Sequence, residues 1–575
     1  NNSGEDKIIE VTSYMEVTLA NYGADAVHPA FSNLFINTEF IENPDTLLAN
    51  RRPRSKYGNK PWVMQKLLVI GGEDISATQY ETSRVNFIGR GNTLKSPAVI
   101  KKDGNLSNTV GAILDPIMSL RKRIRIKSAH SAKFYFLTAI GESREEVINI
   151  GRKYNNEDDM NRIFTVASSE VNMELNHFGL KYPKANLFNY MASKIIYLSP
   201  LMRKQENEIK SVSLGQMDLW QYGISGDNPI VLLKLYKESD REMLSQMLMA
   251  HEYWRRKGLN NDLVILDYEE VSYYNKVTNM INEELGKRSL PNVYSLKARE
   301  ISKELLNLLE ALGRIVIDSK KGLLATQVKY KCNGFKNEEK LLVVNVDYNY
   351  KEINLEENDL LFFNGYGGFK KDTGEYVIII KDDKNTPAPW INVISNDKFG
   401  THISELGSQY TWCGNSRENK LTPWNNDWIK DSPGEVLYIR DEYDGEIWSA
   451  TAMPIRHKSP YIITHGFGYS KIDHYYKGIY SSMKVFVPKD KSVKCITLTL
   501  KNESSMKRKL GITYFATLVM GVIPEHTYTH VYTEINNNGR YILGRNPYGG
   551  NFKDKISYLT MIGVKNESFS GDRKS

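Results

Sequence analysis

Apolar and polar side chains alternate along the first quarter of the chain. Glu10-Val11-Thr12-Ser13-Tyr14-Met15-Glu16-Val17-Thr18-Leu19, Val63 to Ile70 and Lys133 to Ile140 keep a two-residue period. They are rich in branched and aromatic residues, which predicts antiparallel strands. Gly71-Gly72, Asn92, Pro97 and Asp103-Gly104 supply the turns between them. Near Asn155 the period changes. Asn156 to Arg203 reads as helices broken at Gly179 and Pro183. A helix from Asp240 to Lys257 puts Leu244, Met247, Leu248 and His251 on one face, between the apolar strands Ile230 to Leu235 and Leu263 to Leu266. Strand, helix and strand with short joins predict a parallel βαβ unit with a right-handed crossover. A further helix, Ala298 to Arg314, carries Ile301, Leu305, Leu308, Leu309 and Leu312 at helical spacing. Past Tyr330 the β texture returns, and Leu341 to Tyr350, Tyr376 to Ile380, Val436 to Arg440 and Met483 to Pro488 read as strands. The expected fold is mostly β with a helical and α/β segment: two large antiparallel β-sandwiches flanking a mixed α/β region. The boundaries fall at 1–155 for a first sandwich, 156–330 for the middle segment, 331–358 for a connecting strand region and 359–575 for a second sandwich.

The two β regions look related. The segment from Glu10 to Leu19 has a counterpart in Gly511-Ile512-Thr513-Tyr514-Phe515-Ala516-Thr517-Leu518-Val519, and Gln79-Tyr80-Glu81-Thr82-Ser83-Arg84 has one in Phe569-Ser570-Gly571-Asp572-Arg573. The phase of these matches leaves each sandwich partial at one end, with unpaired edges. The expectation that follows is a piece of a longer polypeptide.

Composition narrows the class. At 575 residues the chain has room for several packing units, and a hydrophobic fraction of 41% supports ordinary cores. Lys+Arg 76 against Asp+Glu 68 leaves only +8, thin support for nucleic-acid binding. Cys332, Cys413 and Cys495 are far apart and odd in number, which argues against a disulfide framework or a four-cysteine zinc site. The first ten residues are polar and acidic, and the longest apolar stretch, Ile512 to Ile523, is too short to span a bilayer. A cytoplasmic protein with no membrane segment in this chain is expected.

The densest candidate for chemistry runs from Tyr410 to Asp427. It packs Trp412, Arg417, Glu418, Asn419, Trp424, Asn425 and Asp427 into one stretch. Sugars present C–H faces fringed by hydroxyls, so planar aromatics beside Asn, Asp, Glu and Arg suit them. A hydrogen-bonded loop with both tryptophans as core plugs fits the composition equally well. Other signals are weaker. His526 and His530 flank a strand-like Thr527-Tyr528-Thr529 and read as surface residues. Asp382-Asp383, Glu269-Glu270 and Asp441-Glu442 read as solvated. Arg121-Lys122-Arg123-Ile124-Arg125-Ile126-Lys127 reads as an edge strand guarded by charge. Gly466-Phe467-Gly468 lacks the third glycine of a dinucleotide fingerprint, and no nucleotide cofactor or metal is expected.

Resemblance adds to this reading. Asn396-Asp397-Lys398-Phe399-Gly400, Tyr410-Thr411-Trp412, Asn415-Ser416-Arg417-Glu418-Asn419, Leu421-Thr422-Pro423-Trp424-Asn425-Asn426-Asp427 and Gly434-Glu435-Val436-Leu437-Tyr438-Ile439-Arg440-Asp441 resemble the N-terminal sandwich of the inverting β-glucan and disaccharide phosphorylases. His465-Gly466-Phe467-Gly468-Tyr469 and Val485-Phe486-Val487-Pro488 continue the likeness, which runs from about Phe362 onward. Leu219 to Leu233, Ala250-His251-Glu252-Tyr253-Trp254-Arg255 and His28-Pro29-Ala30-Phe31 are similar to cyclic β-1,2-glucan synthases and to 1,2-β-oligoglucan phosphorylases. The resemblance implies phosphorolysis: inorganic phosphate, as co-substrate, attacks the anomeric carbon of a β-glucooligosaccharide, and glucose 1-phosphate leaves with inversion. An anionic nucleophile makes the second carboxylate of an inverting hydrolase dispensable. The general acid is implied to be an Asp of an (α/α) barrel beyond Ser575. Phosphate-binding residues stay unassigned, Arg417, Glu418, Trp424 and Asp427 become sugar-side or interface candidates, and a homodimer is implied.

Overall fold

The computed structural model describes the chain apart from residues 44, 54, 56, 57, 59, 102, 103, 198–211, 271–273, 329–345, 352–358, 383, 529, 537–540, 564–567 and 572–575. It divides into two compact units. The first comprises Asn1–Ser168, Leu342–Gly414 and Pro423–Thr517, and the second Ser169–Leu341, Asn415–Thr422 and Leu518–Ser575.

In the first unit the early β region makes two antiparallel sheets. One is built on the long strand Pro116–Ile126, which pairs with Lys7–Thr12, Met15–Glu16, Glu73–Asp74 and Gln79–Ser83. The other runs in the order Lys133–Gly141, Trp62–Ile70, Asp45–Arg51, Ile36–Glu42, Gly111–Ala112. Inward-facing Val17, Ile36, Leu47, Val63, Met118 and Leu120 form a shared core. The later β region adds a six-stranded sheet from Gly367–Phe369 to Cys495–Asn502. Two three-stranded sheets join it, Ile391–Ser395 with Phe399–Ser404 and Gln409–Cys413, and Ile447–Ser449 with Glu435–Asp441 and Leu510–Ala516. Ile378, Ile403, Ile439, Trp448, Ile463 and Met483 make its core.

These two β regions, expected as separate sandwiches on either side of the middle segment, share one unit. Phe87, Ile88 and Ile117 of the first pack with Ile429 of the second. Arg90 donates to the Trp428 carbonyl (2.9 Å) and the Glu405 carboxylate (2.7 Å), and Gly91 N–H donates to the Ile429 carbonyl (2.9 Å). Apolar contact and buried ionic bonds so join the two β regions.

The second unit contains a wholly parallel sheet in the order Val293–Lys297, Asp262–Asp267, Ile230–Leu235, Gly313–Asp318. Val231, Leu233, Leu235, Leu263 and Ile265 face one core, and Ile230, Leu232, Val264 and Leu266 the opposite one. Helices Tyr182–Ile196, Arg241–Arg256 and Lys276–Gly286 contribute to the first core, and Lys303–Leu312 to the second. Burial on both faces is why these strands read as unbroken apolar runs. The βαβ unit is as predicted, and the last helix is shorter than predicted, its start set by the Ser302 cap on the Leu305 N–H (3.1 Å). Pro183 opens the helix Tyr182–Ile196 at its first turn rather than breaking one. A small antiparallel sheet, Tyr532–Ile535, Tyr541–Arg545 and Ile556–Thr560, completes the unit.

Several local expectations change. Arg121 to Ile126 lie in an interior strand, not an edge. Arg121 is 1% exposed because its guanidinium donates to Thr12 Oγ1 and to the carbonyls of Gly104 and Val99. Asp441, expected to be solvated, is fully buried, since Arg508 neutralises it and the Tyr443 N–H caps it. Residues 346–350 form no strand, and the rest of that predicted strand lies outside the described residues, as do Cys332, Asp383 and Thr529. His526 sits on a short helix, Pro524–Thr527, started by its proline. Gln79–Ser83 is a strand, whereas Phe569 to Gly571, its expected counterpart, is not. Among the described residues no helix is long and apolar enough to cross a membrane.

Candidate functional site

The candidate surface is the outer face of the sheet Ile391–Ser395, Phe399–Ser404, Gln409–Cys413 in the first unit. Its tight first turn comes from Asn396, whose Oδ1 accepts the N–H groups of Lys398 and Phe399, both at 2.9 Å. Register then aligns Val393 with His402 and Tyr410, and Ser395 with Gly400 and Trp412. Side chains two apart share a face, so these residues project to one side. Gly400 is demanded here. A Cβ on it would stand 2.2 Å from the Trp412 ring, which lies flat across the glycine backbone.

Three rings stack on this face. Tyr410 lies between Trp412 (centroids 5.0 Å, 30° between planes) and Trp424 (5.4 Å, 15°). His402 meets Trp424 edge-on at 5.1 Å and 86°, and Tyr410 at 5.1 Å and 72°. Such offset and edge contacts are worth about 0.5–1.5 kcal/mol each beyond burial. Tyr410 is buried, while Trp424, at 38% exposed, presents a ring to solvent. Burial drives the His402 pKa down to about 4, with the Glu435 charge opposing in part, so a neutral imidazole supports the tryptophan. On the opposite side of the strand, Thr411 donates to Glu435 at 2.6 Å, and Lys494 and Tyr514 also bond that carboxylate. Burial would raise the Glu435 pKa; the Lys494 charge and these hydrogen bonds outweigh it and leave it at about 2.

The sequence-derived candidates are distributed as follows. Trp412 and Trp424 come together through Tyr410. Asn425 is exposed beside Trp424. Asp427 is engaged by Arg84, at 2.6 Å to Nη2 and 3.2 Å to Nη1, and its Oδ1 accepts the N–H groups of Ile429 and Lys430. Arg84 also bonds Asp115 at 2.7 Å and lies 3.3 Å from Glu16. Burial would raise the Asp427 pKa, but the Arg84 bonds and the backbone donors bring it below the usual carboxylate value. Arg417, Glu418 and Asn419 belong to the second unit. There Arg417 and Glu418 form an exposed ion pair at 3.4 Å, both backbone N–H groups donate to Asn415 Oδ1, and Asn419 is 1% exposed.

Sequence reasoning passed over His402, Tyr410's central place, Arg84 and Arg90. Tyr410, two positions before Trp412 on an alternating strand, was an available signal; His402, ten positions before Trp412, reaches the stack only by pairing with Tyr410 across the neighbouring strands. Nothing local marks the arginines, whose partners Asp427 and Glu405 lie more than 300 residues away (|i−j| of 343 and 315). Chemically, the surface can bind a flat apolar face. Asp427 and Glu435 are each held by a cation that keeps the carboxylate below its ordinary pKa, so neither is poised to donate a proton, whereas burial raises the Glu405 pKa against the opposing Arg90 charge.

A β-sandwich assembly with a tryptophan-capped aromatic stack on an exposed sheet face offers a planar apolar surface. The profile of the glycosyl hydrolase 94 supersandwich domain matches residues 1–157 and 374–575, well over half of the chain. The chain belongs to the glycosyl hydrolase 94 family, and its two β regions are matched as one supersandwich domain. Over 581 residues it is 30% identical to the cyclic β-(1,2)-glucan synthase NdvB of Rhizobium meliloti (strain 1021), covering 98% of this chain and 20% of that protein. It is 31% identical over 176 residues to the N,N′-diacetylchitobiose phosphorylase of Vibrio proteolyticus (30% of this chain, 21% of the relative). It is 29% identical over 154 residues to the solabiose phosphorylase of Paenibacillus borealis (26% and 20%). The chain thus spans about a fifth of the length of these relatives.

Proposed function

We propose that these residues form the supersandwich and α/β part of an enzyme that phosphorolyses β-1,2-linked glucooligosaccharides, releasing glucose 1-phosphate with inversion. Phosphate is the nucleophile, and the general acid belongs to an (α/α) barrel outside these residues. The chain's own contribution is to hold sugar units: the solvent-facing ring of Trp424 offers a plane for a pyranose C–H face, with Trp412 and Tyr410 backing it. That ring, backed by a stack and edged by a neutral His402, is the observation that carries the proposal. The test is phosphate-dependent release of glucose 1-phosphate from β-1,2-glucooligosaccharides by the full-length polypeptide containing these residues. Absence of release, with β-1,2-glucan binding retained, would leave a non-catalytic carbohydrate-binding scaffold.

A second reading has support of its own. The alignment with a cyclic β-(1,2)-glucan synthase covers 98% of this chain, whereas those with the phosphorylases cover 30% or less. On that reading the same phosphorolysis trims chain length inside a synthase. Incubating the full-length polypeptide with a nucleotide-activated glucose donor separates the two, because only the synthase makes cyclic product.

A further inference from the structure

Trp220 is the most exposed of the chain's eight tryptophans, at 57%. It closes the short helix Met217–Trp220 in the second unit. Its outward position is built into the loop that follows. Leu219 and Ile224, on either side of it in sequence, are fully buried and anchor the loop in the core shared with Ile230, Leu232, Val264 and Leu266. The indole N–H donates to the Ser225 carbonyl at 3.1 Å. The Gln216 amide donates to the same carbonyl and to Asp227 Oδ1, both at 3.0 Å. Gly223 and Gly226 turn the chain at φ of 76° and 78°. A Cβ on Gly226 would stand 2.8 Å from the Tyr548 hydroxyl and 2.9 Å from Gln216 Cγ, so the turn is tightly packed where it bends.

An indole that spends its N–H within its own loop has only apolar ring surface left for a partner. Met217, 71% exposed and three residues earlier on the same helix, lengthens that strip. Around it stand Gln216, Gln221, Ser225 and the exposed Asp227. Residues 212–228 hold two acids, Asp218 and Asp227, and no lysine or arginine. Such a surface repels phosphate and gives a nucleic acid no cation to meet. Amide, hydroxyl and carboxylate groups beside an apolar plane suit instead a neutral ligand with hydroxyls fringing a C–H face. Fixing the ring and the turn before binding also spares the ordering cost that a mobile loop would meet. Resting on the phosphorolytic reading above, we infer that Trp220, Met217 and Asp227 form a second sugar-holding surface, on the α/β part of the chain, which takes an uncharged stretch of β-1,2-glucan and neither phosphate nor glucose 1-phosphate.

The experiment is hydroxyl-radical footprinting with mass spectrometry on the full-length polypeptide containing these residues, run without phosphate. Linear β-1,2-glucan is expected to slow oxidation of Trp220 and Met217 severalfold, while Met506, 46% exposed in the first unit, oxidises as before. Glucose 1-phosphate and inorganic phosphate are expected to protect neither residue. Asp227→Ala, with an unchanged melting temperature, should raise the glucan concentration needed for protection about tenfold or more, the cost of a hydrogen bond to a charged group. Oxidation of Trp220 at the same rate with and without glucan overturns the inference. So does a Trp220 already shielded in the full-length polypeptide before glucan is added, which would make this face a protein contact. Glucose 1-phosphate release by the same preparation decides the phosphorolytic reading separately, so the failure of either is seen apart from the other.

Discussion

Arg84→Met isolates the ionic latch that ties the tryptophan loop to the early β region. The guanidinium is 8% exposed and faces Asp115 and Asp427, whose side chains are 12% and 22% exposed, and the half-exposed Glu16. Glu16 adds little because water screens it. Removing the cation strands two shielded carboxylates, and breaking such a pair costs about 3–5 kcal/mol at pH 7. The pH dependence carries the sharper prediction. Burial raises the Asp115 pKa even beside Arg84, whereas Asp427 is held low by Arg84 and backbone donors against its own burial. In the wild type, Asp427 contributes stability above the usual carboxylate pKa that is lost as pH falls through its folded value, and Asp115 acts in the opposite sense. Without Arg84, burial raises both, so the folded state binds more protons than the unfolded one. Stability of the variant therefore rises as pH falls from 7 towards 5, and its deficit narrows by about 1 kcal/mol or more. Thermal unfolding followed by tryptophan fluorescence at the two pH values measures this, as a fall of several degrees at pH 7 that shrinks at pH 5. A cost under about 1 kcal/mol, or one independent of pH, would refute the reasoning.

Trp424→Ala is expected to weaken oligosaccharide use by the full-length polypeptide about tenfold or more, with a stability cost of only about 1–3 kcal/mol for the lost Tyr410 and His402 contacts. A large fall in melting temperature with unchanged kinetics would mean that the ring serves packing alone. Gly400→Ala should displace Trp412, because its new methyl would sit 2.2 Å from the ring; near-ultraviolet circular dichroism reads the change, and an unaltered spectrum counts against the stacked geometry. His402 and His474 are buried with pKa values pushed down to about 4, so the unfolded chain takes up protons first. Stability is then lost as pH drops from about 6.5 towards 4, by up to roughly 3 kcal/mol for each histidine. His474→Phe, which keeps a ring against Tyr461, should flatten the melting temperature's fall between pH 7 and 5, and an unchanged slope would contradict the assignment.

Local pattern determined the class of most segments, though residues 346–350, read as strand, form none. The alternation in Met483 to Phe486, whose strand buries every second residue, reports a strand with two different faces, and the unbroken runs Ile230 to Leu235 and Leu263 to Leu266 report strands buried on both. These are nearest-neighbour properties, written within a few residues. The tryptophan-rich stretch and its likeness to phosphorylase sandwiches were legible too, because the motif is contiguous. Only the tertiary structure decided that the two β regions form one unit, that Arg121 and Asp441 lie inside, and that Asp427 answers to Arg84. It also made Tyr410 and His402 the support for Trp424. Each of these turns on partners distant along the chain, and the free energy of an ion pair or a ring stack depends on separation and burial in space, which residue order does not encode.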